Sequence, residues 1–327
     1  MRPTALFFVT FLLIGVAAGA DEAPIAADWV LRGGTVVDGT GAPRVAADVA
    51  IRGDRIVAVG RFEAGPGARV VDAAGWIVAP GFIDLHTHSD GPIRAATTRS
   101  NLNYRAQGVT TIVTGNCGSG PIDVGAYFRA IEDGGAGTNV IHLVPHGDLR
   151  RAVLGEGDHR ADPRAMRRME ELLERGLRAG AWGMSTGLIY LPGRFADTAE
   201  LVALARVVAR HGGIYASHIR DEGAGLLGAI DEALIIGREA GVAVHISHLK
   251  ASGRANWGQV VPACARIAAA RAEGRRVSAD QYPYVASSTS LAAMVVPTWA
   301  RLGSARDFAT RALDPQQGPR LRREIGE

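Results

Sequence analysis

The sequence predicts an α/β protein built on a (β/α)8 barrel, with a small β domain preceding it. From residue 81 onward, short apolar segments typical of buried strands alternate with longer helical patterns. This alternation is typical of parallel strands joined by crossover helices, and its many units favour a barrel. Before residue 81, short segments alternate apolar and polar residues, which favours a separate sheet with one solvent-facing side.

Composition is that of an ordinary globular protein. The 327 residues are enough for one large domain and one small one. Hydrophobic residues make up 47% and charged residues 21%, which excludes a disordered chain. The formal net charge is only +3. The sequence has no basic stripe with interleaved aromatic residues, so a nucleic-acid partner is not indicated.

The first 20 residues have the pattern of a cleaved secretory signal peptide. Arg2 provides a basic start, residues 5–17 are nearly all apolar, and residues 18–20 form an Ala-x-Ala cleavage site before Asp21. The alternative is a membrane anchor, but the apolar run is shorter than the roughly 20 residues that a span needs. We therefore expect a periplasmic or secreted protein with no stable membrane span after cleavage.

Residues 28–80 predict the small β domain, the N-terminal part of a β-sandwich. Residues 29–38 form an alternating segment, and residues 48–60 predict a hairpin that turns at Gly53 and Asp54. Such alternation suits an antiparallel sheet.

Residues 81–327 predict the barrel. Asp162 before Pro163 is typical of a helix start, with a capping side chain followed by proline in the first turn. Seven strands are predicted, at 81–86, 109–115, 139–145, 181–187, 213–218, 242–248 and 276–282.

Seven strands are one fewer than a closed eight-stranded barrel needs. After Tyr284 the sequence predicts a loop and then helix from about Ala305 to Glu327, and residues 294–296 are a short alternative strand. A barrel without its last strand has two unpaired edges. We therefore expect a fragment that is C-terminally incomplete, truncated before strand eight.

His86 and His88 end the apolar run that contains the first barrel strand. Residues i and i+2 of a strand lie on one face, so two imidazoles there can bind one metal ion. The carboxyl ends of barrel strands are also where such enzymes carry their active sites.

Three further strand ends present a metal-ligand side chain. Cys117 follows the second strand, His218 ends the fifth and His248 ends the sixth, whereas His245 lies on the opposite face. Cysteine and histidine are good zinc ligands, and catalytic zinc keeps one position open. Because Cys117 has this use, we expect no disulfide with Cys264. A lone strand histidine is more often a core residue, but four such strand ends indicate a metal centre.

The sequence around these residues resembles that of the amidohydrolase superfamily and, within it, of the N-acyl-D-amino-acid deacylases, or D-aminoacylases. The similarity extends from about residue 28 to residue 290. The segments that carry it are 78–88, 108–118, 183–190, 217–222, 247–250 and 282–284.

This resemblance implies zinc-dependent hydrolysis of the amide bond of N-acyl-D-amino acids, giving a carboxylate and a D-amino acid. It implies Cys117, His218 and His248 as ligands of one tightly bound zinc. It also implies His86 and His88 as a second, weaker site that Cys117 can bridge.

The family's catalytic aspartate lies at the end of strand eight. No strand-end aspartate follows Tyr284, because Asp307 and Asp314 fall in helical or loop segments. No catalytic residue is therefore assigned within the chain.

The resemblance also implies substrate-binding residues. Lys250 provides a cation for the α-carboxylate of the substrate, with a solvated loop lysine as the alternative. Tyr190, Tyr282 and Ser288 correspond to the family's other substrate contacts.

Two other functions stay open. A cyclic amidase or dipeptidase of the same superfamily usually bridges its metals with a modified lysine on strand four, and residues 183–187 contain none. An inactive metal-binding fragment is the second alternative. The preferred acyl group and side chain, the number of metals and the oligomeric state are open as well.

Overall fold

The computed structural model describes residues 23–326, so the predicted signal peptide lies outside the described residues. The described chain forms two compact units that divide between Pro80 and Gly81. Within this range, no helix combines the length and apolar character needed to cross a membrane.

The first unit contains a five-stranded sheet in which β1 is central. Its strands are β1 (Trp29–Val36), β2 (Val45–Arg52), β3 (Arg55–Gly60), β4 (Arg69–Asp72) and β5 (Ile77–Val78).

Strands β1, β2 and β3 pair antiparallel, as the alternating pattern predicts. The hairpin turns at Gly53 and Asp54, and Gly53 has the positive φ of 59° that tight turns require of glycine. Strands β4 and β5 add to β1 in parallel, which the alternation did not indicate. The reason is that residues 61–68 carry the chain from β3 across the sheet to the far side of β1.

The second unit contains seven parallel strands, each paired with the next in chain order. This order confirms the predicted (β/α) fold class, and every predicted strand is present. The strands are β6 (Phe82–Asp84), β7 (Val109–Thr114), β8 (Asn139–Pro145), β9 (Gly183–Gly187), β10 (Ile214–His218), β11 (Ala243–Ile246) and β12 (Val277–Ala279).

Helices connect and follow these strands. They are α1 (Leu102–Arg105), α2 (Val124–Gly134), α3 (His146–Leu154), α4 (Pro163–Arg178), α5 (Thr198–Arg210), α6 (Leu226–Ala240), α7 (Val260–Ala272), α8 (Leu291–Val295), α9 (Ala305–Leu313) and α10 (Gln317–Gly326).

Helix starts and stops follow the sequence signals. The Asp162 carboxylate caps α4 by accepting a hydrogen bond of 2.7 Å from the Ala165 backbone N–H. The alternative strand at 294–296 is wrong, because residues 291–295 form α8. The helical pattern near the C-terminus divides into α9 and α10 around Pro315, which cannot continue a helix hydrogen-bond ladder.

The main core lies between one face of the parallel sheet and helices α4 to α7. Strand residues Met184, Tyr215 and Val244 are buried there against helix residues Leu173 and Ile230. Each large side chain fully buried in this layer contributes about 1.5–3 kcal/mol of transfer free energy. This packing holds the strands in register and so fixes where their carboxyl ends lie.

Candidate metal centre

The five predicted ligand residues meet at the carboxyl ends of the parallel strands. They form two overlapping groups, His86 with His88 and Cys117, and Cys117 with His218 and His248. Within each group the donor atoms all lie within 4.8 Å of one another. The Cys117 Sγ atom is 3.3 Å from His86 Nε2 and 3.7 Å from His248 Nε2, so one sulfur is common to both groups.

Cys117 is presented by a tight turn directly after β7. Its φ of 53° lies in the left-handed region that non-glycine residues seldom adopt. A Cβ atom at Gly187 would lie only 2.1 Å from the Cys117 carbonyl oxygen, so this position on β9 requires glycine. The Gly118 N–H donates to Ser185 Oγ at 3.0 Å, which ties the turn to the same strand.

The environment of His218 is that of a metal ligand without its ion. Both of its ring nitrogens are buried and find no hydrogen-bond partner among residues 23–326. Buried polar atoms without partners are rare and costly. Burial, together with the neighbouring His248, lowers the pKa of His218 to about 3, so the ring is neutral at neutral pH. A neutral imidazole with one nitrogen lone pair free is the form that binds a metal ion.

The pKa of the Cys117 thiol is raised, whereas that of His218 is lowered. Burial raises the thiol pKa, and the nearby carboxylates Asp280 and Glu222 raise it further. A bound cation reverses this balance, because a coordinating thiol loses its proton. Sulfur and nitrogen donors in this number suit zinc, so the residues fit the ion that the sequence predicts.

Glu222 is a site residue that the sequence did not reveal. Its Oε1 lies 2.8 Å from His248 Nδ1 and 2.6 Å from Lys250 Nζ. Burial opposes its charge, but the hydrogen bonds from His248 and Lys250 outweigh this and lower the pKa of Glu222 to about 2. Glu222 follows β10 by four residues, in a charged loop whose composition alone gave no specific signal.

Asp280 is the second residue that sequence reasoning missed. Its Oδ2 lies 3.2 Å from His86 Nδ1 and 2.7 Å from His245 Nε2. Although burial opposes the charge, the hydrogen bonds from His245 and His86 lower the pKa of Asp280. Asp280 directly follows β12, so its place at a strand end was a signal available in the sequence.

The predicted substrate residues lie on two sides of the centre. Lys250 pairs with Glu222, and its Nζ atom is 5.6 Å from the ring centroid of Tyr282. Tyr190 packs edge-on against His218 with ring centroids 4.9 Å apart. Ser288 and Tyr190 line a cleft of about 460 Å³ that also reaches Cys117.

Lys250 also stands out by composition. It is the only lysine in a chain with 36 lysine and arginine residues. Arginine serves at every other basic position, and the two side chains are not interchangeable where a compact cation is needed. Its contact with Glu222 shows a paired cation rather than the solvated loop lysine of the alternative interpretation.

The family follows from comparison with known proteins. The profile of the amidohydrolase family matches residues 69–267. This chain belongs to the amidohydrolase family. The resemblance found in the sequence is thereby confirmed.

Two relatives from Alcaligenes xylosoxydans xylosoxydans are similar over most of this amidohydrolase. The N-acyl-D-glutamate deacylase is 42% identical over 287 residues, covering 81% of this chain and 58% of the relative. The N-acyl-D-aspartate deacylase is 38% identical over 323 residues, covering 88% of this chain and 64% of the relative. This amidohydrolase therefore spans less than two thirds of the length of either relative.

A solved structure shows the same fold. The N-acyl-D-glutamate deacylase from Bordetella bronchiseptica, complexed with zinc and a phosphonate inhibitor, matches with a TM-score of 0.76 and 39% identity. The match covers 80% of this chain and 59% of that one. That inhibitor mimics the tetrahedral intermediate of the relative's reaction.

Zinc uptake by this amidohydrolase should displace the proton of Cys117. At pH 7 the raised pKa keeps the metal-free thiol protonated, whereas His218, with a pKa of about 3, has no proton to release. Titration of saturating zinc into weakly buffered metal-free protein should release about one proton more per protein than the same titration of Cys117→Ser. Equal proton release by the two proteins would show that Cys117 is not a ligand.

Proposed function

We propose that this amidohydrolase is a zinc-dependent deacylase that hydrolyses the amide bond of N-acyl-D-amino acids. The observation that carries the proposal is the single sulfur of Cys117 lying between two sets of histidines at the carboxyl ends of the strands. Support comes from relatives at 38% and 42% identity whose names give this activity. The products would be a carboxylate and a D-amino acid.

The described donors divide between two metal positions. Cys117, His218 and His248 would hold the tightly bound zinc, and His86 and His88 would form a second position with the same sulfur. Bound zinc would lower the pKa of water to about 7 and polarise the carbonyl of the scissile amide.

Lys250 would bind the α-carboxylate of the substrate. A lysine ammonium has three N–H donors. Glu222 Oε1 accepts from Nζ at 2.6 Å and the His248 carbonyl oxygen accepts at 3.1 Å. Nζ also lies 3.0 Å from His248 Nδ1, but that nitrogen cannot accept when it carries the ring proton, so one ammonium donor would be left for a substrate oxygen. Tyr282 lies beside this cation, and Tyr190 and Ser288 line the adjoining cleft.

Glu222 would support both the metal ligand His248 and the substrate-binding residue Lys250. Its ionised Oε1 lies 2.8 Å from His248 Nδ1 and would stabilise a proton on that nitrogen, which would leave the lone pair of Nε2 toward Cys117. A carboxylate behind a ligand histidine orients the ring and raises its basicity. The same oxygen holds Lys250 in place for the substrate carboxylate.

We also propose that the protein is exported, on the strength of the basic, apolar and Ala-x-Ala pattern of residues 1–20. The protein recovered from the periplasm or culture medium of the producing cell should begin at Asp21. N-terminal sequencing checks this. An intact Met1 in a membrane fraction would favour an anchor instead.

The activity should be specific for one enantiomer. We expect the zinc-loaded product of the uninterrupted natural gene to release methionine from N-acetyl-D-methionine and not from N-acetyl-L-methionine, as followed by amine detection. Cys117→Ser is the matched control and should be inactive at equal protein concentration. Release from the L enantiomer, or from neither substrate with zinc bound, would contradict the proposed activity.

Replacing Lys250 should affect substrate binding more than metal binding. Loss of a hydrogen bond to a charged group costs about 1.5–3 kcal/mol, so Lys250→Ala should raise KM by roughly 10- to 100-fold. Zinc content, measured by atomic emission, should be unchanged. Lys250→Arg keeps the charge and is the matched control, with a smaller rise in KM. An unchanged KM in Lys250→Ala would remove the lysine from the substrate site.

A further inference from the structure

Asp280 is a half-buried carboxylate for which the proposed reaction supplies no role. Its side chain is 19% exposed and follows β12 directly. One oxygen, Oδ2, contacts both His86 and His245. The other oxygen, Oδ1, accepts from the backbone N–H of His248 at 2.5 Å. The carboxylate, which follows β12, therefore contacts His86 after β6, His245 within β11 and His248 after β11.

The contact with Asp280 decides which nitrogen of His86 carries a proton. An ionised carboxylate only accepts hydrogen bonds, so Nδ1 of His86, 3.2 Å from Oδ2, must be the N–H donor. In a neutral imidazole the other nitrogen then has a free lone pair. That nitrogen is Nε2, which faces Cys117 Sγ at 3.3 Å. Asp280 thus keeps His86 in the tautomer that can bind a metal ion.

His245 fixes the carboxylate from the opposite side. Its side chain is only 5% exposed, and its Nε2 lies 2.7 Å from Asp280 Oδ2. Its Nδ1 pairs with Ser278 Oγ at 2.9 Å. With both nitrogens in use, His245 has no lone pair for a metal, and it restricts the directions in which Asp280 can point.

We propose that Asp280 is a positioning residue that sets the tautomer and orientation of His86, and thereby controls whether the second metal position is filled. The inference rests on the proposed metal centre and concerns the position formed by His86, His88 and Cys117. The contact with His248 is made by its backbone N–H, so Asp280 leaves the imidazole of that ligand free.

The substitution Asp280→Asn tests this role because an amide has one acceptor and one donor group. If the amide oxygen stays on the His248 N–H, the NH₂ group faces both His245 Nε2 and His86 Nδ1. His245 can accept from it by moving its own proton to Nδ1, where Ser278 Oγ accepts. His86 must then accept at Nδ1 and carry its proton on Nε2, where it blocks metal binding. The opposite orientation would set two donors against each other at His248, so the first should prevail.

The measurement is the affinity for each of two zinc ions, obtained by titrating metal-free protein against a competing chelator. We expect Asp280→Asn to weaken the second ion 10- to 100-fold, the usual effect of losing such a partner, and to leave the first ion unchanged. Retention of the first ion also shows that the variant is folded. Ser278→Ala is the matched control, since it removes the other partner of His245 without touching His86, and should bind both ions normally.

A double-mutant cycle separates positioning from a general structural effect. If Asp280 acts through His86, then Asp280→Asn should cause no further loss at the second position in a His86→Ala protein. Equal losses with and without His86, or unchanged binding of the second ion by Asp280→Asn, would overturn the inference. A wild-type protein that binds no zinc would instead overturn the metal centre itself, and with it the role of Asp280.

Discussion

The site depends on one sulfur atom that lies at the common point of two histidine groups. Cys117 reaches this point because β7 ends in a left-handed turn that packs against β9. A non-glycine residue in this conformation costs about 1–3 kcal/mol and persists where the surroundings determine it. His248, with a φ of 38°, is held in the same strained region. Two of the candidate ligands therefore depend on the packed parallel sheet for their backbone conformations.

The charges of the site are arranged for a cation. Glu222 and Asp280 have lowered pKa values, whereas the thiol of Cys117 has a raised one because of burial and of those same carboxylates. Lys250 is the one lysine that enters this group, and Glu222 already pairs with it. The carboxylates and neutral imidazoles of this cluster would stabilise a bound divalent ion. The ion would in turn favour the thiolate form of Cys117.

Much of this arrangement could be predicted from the sequence, because residue type and strand position act together. His86, Cys117, His218 and His248 stand at strand ends, and the carboxyl ends of parallel strands meet at one edge of the sheet. The seven barrel strands follow from their apolar patterns for the same reason.

What the sequence did not reveal depends on tertiary contacts. Asp280 and Glu222 gain their roles only when distant loops bring carboxylates to the Nδ1 atoms of His86 and His248, and no local pattern encodes such a meeting. The parallel pairing of β4 with β1 likewise depends on a crossover between strands. The apolar residues 294–296 are too few to distinguish a strand from the helix that residues 291–295 form.

The central claim is that the sulfur of Cys117 belongs to both metal positions. X-ray absorption at the zinc edge, recorded with one and then two equivalents of zinc bound, tests it most directly. A zinc–sulfur distance of about 2.3 Å should be present in both samples, and the second equivalent should add nitrogen neighbours and a zinc–zinc distance without removing sulfur. First shells that contain only nitrogen and oxygen, or spectra that are identical in Cys117→Ser, would contradict the claim.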